Sequence, residues 1–239
     1  MSSSPPPPTL PPTRSSDSCV APPWHTAIVL FALLGVSLLG AHVSLRSLFG
    51  MHGRLSSYLF IIFFEWATVG FIIWGLRRRG VRLSDVIGGR WTRGLHVLRD
   101  VGIGIAFILI FGAAVQVLSH LLNAAPPPGM LEMLPRTRFE LLAWVFVSLT
   151  GGFCEEVIFR GYLLRQFSAL THSVVIGIVL QALVFGLAHG YQGWKLMSLI
   201  ALYGACFGLL AYWCHSLRPG IIGHALQDTL GGFLARFAG

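Results

Sequence analysis

Charge is scarce in this chain. Only 11% of its 239 residues are Asp, Glu, Lys or Arg, against about 25% in an ordinary soluble domain. Acids are the scarcer sign, with 9 Asp+Glu against 17 Lys+Arg. So few charges cannot coat a water-facing surface, which excludes a soluble globular domain. The 54% hydrophobic content excludes a disordered chain. Cysteine is scarce as well. Cys19, Cys154, Cys206 and Cys214 form no CxxC pair, so a disulfide scaffold is excluded and the thiols read as small hydrophobes. Lysine is nearly absent. Lys195 is the only one, and the net charge of +8 rests on arginine.

What is present is long apolar runs, with a mean hydropathy of +0.72. The stretches Thr26–Val43, Tyr58–Leu76, Val101–Leu122, Phe139–Leu170, Ser173–His189, Trp194–His215 and Ile221–Phe237 give about seven crossings. Backbone polar groups in lipid must be satisfied within the segment, and these runs are too long for barrel strands. The expected fold is therefore all-α, a polytopic integral membrane protein of about seven to eight transmembrane helices. Residues 1–23 hold eight of the 13 prolines and read as a disordered Pro/Ser-rich tail. Residues 24–122 form the N-terminal helices, and residues 139–237 a helical core.

Seven arginines (Arg77, Arg78, Arg79, Arg82, Arg90, Arg93, Arg99) fall in one interval between apolar runs. That is the pattern of a cytoplasmic loop rather than of a nucleic-acid footprint. It sets the N-terminus in the cytoplasm and leaves the lipid bilayer, not nucleic acid, as the surrounding partner.

The informative residues are the charges inside apolar runs, where each costs several kcal/mol and marks a functional candidate. Glu155 and Glu156 sit side by side in LTGGFCEEVIFRGYLL. Glu156 and Arg160 are spaced i,i+4 with the acid first, the favourable order for a helical ion pair. Glu155 points about 100° away and is free for another task, such as proton transfer. The alternative is that both acids pair with Arg160 and Arg165 at a helix interface. His189 closes LQALVFGLAHG one turn after Phe185, and His224 precedes Asp228 by one turn. The second pair reads either as a histidine oriented by a carboxylate or as a polar contact between helices.

Helix arithmetic tests whether these groups can meet. With the turn at Thr171, Glu155 lies 16 residues before it and His189 lies 18 after it, about 24 and 27 Å along two antiparallel helices. They share a level. His224 is only five residues past Pro219, about 8 Å, so it joins them only if the Pro219 turn lies much deeper than the Thr171 turn.

The series Glu155-Glu156-x-x-x-Arg160, Phe185-x-x-x-His189 and His224-x-x-x-Asp228 resembles the three motifs of the CPBP intramembrane proteases, a family that includes type II CAAX prenyl proteases and abortive-infection and bacteriocin-immunity proteins. The resemblance covers roughly residues 139–232. It implies an intramembrane endopeptidase acting on a membrane-associated protein or peptide. By the family's pattern Glu155 would activate a water that His189 helps to hold, and Glu156 with Arg160 would position the site. His224 and its partner would stabilise the oxyanion. The family often has Asn in that partner position. Here it is Asp228, which when ionised cannot donate a hydrogen bond, so it is either protonated or orients His224 instead of touching the oxyanion. No cofactor is implied.

Other readings of the same residues stand beside this one. Two histidines and a glutamate could bind zinc, although no HExxH spacing is present. Cys154 could be a nucleophile, but no histidine lies near it in sequence. Glu65, inside FIIFFEWATVG, fits an ion path in a transporter or immunity protein, a helix–helix hydrogen bond, or the wall of a cavity. The substrate could be a prenylated C-terminus, a leader peptide or a C-terminal sorting tail. A bacterial inner membrane is the expected location, and no oligomeric state follows from the chain.

Overall fold

A computed structural model describes residues 19–42 and 53–237. They form eleven α-helices, and no named strand occurs among the described residues. In order these are α1 Pro23–His42, α2 Arg54–Arg78, α3 Leu83–Ile87, α4 Gly94–Phe107, α5 Ala113–Leu121, α6 Pro128–Met133, α7 Arg138–Glu155, α8 Leu164–Thr171, α9 Val174–Ala188, α10 Trp194–Cys214 and α11 Arg218–Phe237. Two wide-turned π segments bridge helices without a break, Ile108–Gly112 between α4 and α5, and Glu156–Leu163 between α7 and α8.

Among the described residues, each of the seven apolar runs is mostly helical, as expected of an all-α multi-pass membrane protein. Five continuous stretches are long and apolar enough to cross a membrane: Pro23–Gly40, Arg54–Arg78, Gly94–Leu121, Arg138–Thr171 and Trp194–Cys214. Helix α9 is shorter, with 15 residues, about 22 Å against a hydrocarbon thickness of about 30 Å. Its C-terminal end, where His189 sits, therefore stops at the depth of the polar centre.

The ends of α7, α8 and α9 are written locally. Thr137 and Glu140 form a capping box, with Glu140 N donating to Thr137 Oγ1 (3.1 Å) and Thr137 N donating to Glu140 Oε2 (2.9 Å). His172 in the left-handed region (φ 54°) ends α8, and Ser173 caps α9 through Ile176 N (3.3 Å).

Helix α7 and its π continuation form the axis of the bundle. Helices α11 and α2 both pack along α7, and α9 packs between α8 and α10. The π segment is buried throughout, and Val157, Ile158, Phe159, Tyr162 and Leu163 meet Val69, Ile72 and Leu76 of α2, Val86 of α3 and Phe185 of α9. Apolar area removed from its surroundings on this scale holds the axis rigid.

The prolyl tail expected over residues 1–23 lies outside the described residues as far as residue 18. Within the described residues, the Gln166 amide takes both polar groups of Ala21. Ala21 N donates to Gln166 Oε1 (3.2 Å), and Gln166 Nε2 donates to Ala21 O (2.9 Å). Next to this clasp, the fully buried His25 joins Tyr162 Oη (2.8 Å) and Phe71 O (2.9 Å), locking α1 to α2 and to the π segment.

The depth of the Pro219 turn has a specific cause. Short helix α3 inserts from the arginine-rich interval and receives the α10–α11 turn. Leu217 N donates to Ile87 O (2.8 Å), and Gly88 pairs with Ser216. Both Val86 and Leu217 press on Gly161, where a Cβ would lie 2.5 Å from Val86 Cγ1 and 3.1 Å from Leu217 Cδ1. The turn thus docks level with residue 161, ten residues or roughly 15 Å short of Thr171. His224 is carried to the level of the two glutamates.

Candidate active site

The π segment begins at Glu156, so the adjacent acids sit where helix geometry changes, a position that often marks function. Glu156 is sealed in, with its side chain 1% exposed and that of Arg160 0%. Arg160 Nη1 donates to Glu156 Oε1 (3.0 Å), and Nη2 donates to the Gly204 carbonyl of α10 (3.3 Å). The guanidinium carbon lies 4.3 Å from the ring centre of Phe185 and 4.9 Å from that of Phe207. A buried charge is tolerable only with such pairing.

His224 ties the two acids together. Its Nδ1 lies 3.0 Å from Glu156 Oε1, and an ionised carboxylate only accepts, so the ring donates there. On the other side, Nε2 lies 3.6 Å from Glu155 Oε2 and 3.6 Å from Asp228 Oδ2. Exposure rises outward through the cluster, from 9% for the His224 side chain to 19% for Glu155 and 37% for Asp228. The centre is least enclosed on the Glu155 and Asp228 side.

His189 stands at the end of α9. Its Nδ1 donates to the Phe185 carbonyl (2.9 Å), since a carbonyl only accepts. Its Nε2 is then left for another partner. The Phe185 ring lies 4.9 Å from the His189 ring and 6.3 Å from the His224 ring, centre to centre. It separates the two imidazoles. His189 also acts electrostatically on Asp228.

The structure therefore gathers Glu155, Glu156, Arg160, His224 and Asp228 into one connected group, with His189 at its edge. The i,i+4 pairing of Glu156 with Arg160 is as the sequence predicts. Arg165 is not part of the group, and instead donates to Val86 O (3.1 Å) in the α3 dock. Cys154 is fully buried in the core. Two cavities of about 260 and 350 Å³ lie elsewhere, both reaching the Asn123–Ala125 turn.

Glu65 joins the group from α2, although the site residues assigned from the sequence did not include it. It interacts electrostatically with Glu155, His224 and Asp228. The only signal in the sequence is a lone acid in the middle of an apolar run. Among the described residues no group of three or more His, Cys, Asp or Glu is arranged to hold a metal ion.

Fold and site together define a multi-pass, all-helical membrane protein with a titratable centre inside its core. Residues 137–230 match the model of the Rce1-like family, described as type II CAAX prenyl endopeptidase Rce1-like. The match runs from the capping threonine of α7 into α11 and contains all three motifs. It resembles the family suggested by those motifs and carries protease as the class of activity. No curated protein and no solved structure matches the chain.

Proposed function

We propose that the protein is an intramembrane endopeptidase that hydrolyses a peptide bond of a membrane-associated substrate through a water activated by Glu155. The observation that carries this reading is His224, which reaches Glu156 at 3.0 Å and Glu155 at 3.6 Å from opposite ring nitrogens. One acid orients the ring and the other remains free at the open side. Glu155 takes a proton from water as the water oxygen bonds to the scissile carbonyl carbon. His189 Nε2 accepts the water's second hydrogen bond. The resulting oxyanion lies against the His224 side of the centre, where preorganised positive charge is most effective. As the C–N bond breaks, Glu155 returns the proton to the leaving amine. Glu156 and Arg160 hold the ring and do not exchange protons with substrate. Asp228 steadies His224 through Nε2.

The family description favours a prenylated C-terminus as substrate, with leader peptides and sorting tails as the other classes. The arginine-rich interval 77–99 supports a cytoplasmic N-terminus, and a bacterial inner membrane is the location this reading adopts. The test compares membrane proteomes of cells carrying the wild-type chain and Glu155→Gln by mass spectrometry. An uncut precursor should accumulate in the variant, with turnover down by at least about 10²-fold. Equal processing in both would overturn the reading.

A further inference from the structure

Glu65 is the only charged residue of α2 away from its ends, and it is 9% exposed. Its Oε2 is buried with no hydrogen-bond partner. A buried acceptor without a donor is costly, and the neighbouring groups offer little relief. The Arg160 Nη groups are taken by Glu156 and Gly204, and His224 Nδ1 is taken by Glu156. His224 Nε2 lies 3.6 Å from both Glu155 and Asp228.

The other oxygen of the Glu65 carboxyl, Oε1, lies near Gly151. A Cβ on Gly151 would lie 3.9 Å from Glu65 Oε1 and 3.7 Å from Asp228 Oδ2, with nothing else within 4 Å. Two carboxyl oxygens from different helices flank the bare face of a third helix, one turn before Glu155. Tyr191 lies at the same opening, with its hydroxyl accepting from Gln192 Nε2 (3.1 Å), and acts electrostatically on Glu155, Asp228 and Glu65.

We propose that Glu65 and Asp228 hold a water over Gly151, and that Glu65 is thereby a positioning residue that supplies the hydrolytic water to Glu155. Water is the ligand that fits, because it brings two hydrogens to two acceptors that face the same bare stretch of helix. Buried waters characteristically occupy such sites, with about three polar partners. The glycine is required for space: its face must stay open between the two acids. This role rests on the peptidase reading, but the water site itself does not.

The experiment uses Gly151→Ala, Glu65→Gln and Glu65→Leu in the full chain. Alanine at 151 meets only ordinary contacts, so the fold tolerates it while its methyl group displaces the water. Turnover should fall about 10²-fold in Gly151→Ala and Glu65→Leu, the scale on which a misplaced reactant costs rate, with KM unchanged. Glu65→Gln keeps an accepting oxygen and should retain most of the turnover. Radiolytic footprinting in ¹⁸O water should label Glu65 in the wild type and lose that label in Gly151→Ala. A label that persists in Gly151→Ala overturns the water site, whatever the activity. A lost label with unchanged turnover overturns the supply role. Turnover that survives Glu155→Gln counts against the peptidase reading alone.

Discussion

Gly152→Ala should damage catalysis more than stability, and the geometry sets the size of both effects. A Cβ on Gly152 would lie 2.7 Å from the Ala225 nitrogen and Cβ and 2.9 Å from its Cα. Ordinary carbon contacts need about 3.5–4.0 Å. Most of the opposing atoms are backbone, so α7 and α11 must separate by roughly 1 Å. Overpacking of this kind costs about 1–3 kcal/mol. Ala225 adjoins His224, whose Nδ1 lies 3.0 Å from Glu156 Oε1. A shift of about 1 Å takes that contact out of hydrogen-bonding range. The imidazole then loses its orientation, and rate should fall about 10²-fold. The assay pairs thermal unfolding in detergent with turnover of a processed precursor. Gly151→Ala provides a packing comparison, since it meets no contact below 3.7 Å and should unfold no earlier than the wild type. A Gly152→Ala protein that keeps wild-type turnover would show that the α7–α11 spacing does not set the His224 geometry.

Three further outcomes follow from other contacts. Arg160→Met leaves Glu156 buried without its cation, which should cost about 3–5 kcal/mol and appear as lost folded protein in detergent; an unchanged midpoint would contradict the pairing. Tyr162→Phe removes the hydroxyl shared by His25 and Thr26 (2.8 and 2.9 Å); it should destabilise by about 1–3 kcal/mol while turnover per folded molecule holds. Exhaustive chelation should leave precursor processing intact; activity lost to chelator and restored by zinc would return the metal-dependent reading.

Much of the site was legible because its spacing is helical. The Glu156–Arg160 pair and the shared level of Glu155 and His189 follow from residue counts alone. The position of His224 did not follow, because the Pro219 turn is set by contacts of Val86 and Leu217 with Gly161, which lies far away in sequence. Glu65 escaped the site assignment for a similar reason: nothing near it in the chain indicates that its face of α2 meets Gly151. The π segment was also hidden, since Glu156–Leu163 has the composition of an ordinary apolar helix. The clasp of Gln166 on Ala21 was hidden too, since no local signal in a proline-rich stretch announces a partner so remote.

The Gln166 clasp on Ala21 joins residues 145 positions apart. During synthesis the first helix therefore enters the bilayer well before the segment that fastens it exists. It must remain loosely associated until the chain beyond Gln166 has been inserted. The same two bonds mean that the opening helix docks only against a completed axis, so a product stalled before that point lacks the fastening altogether.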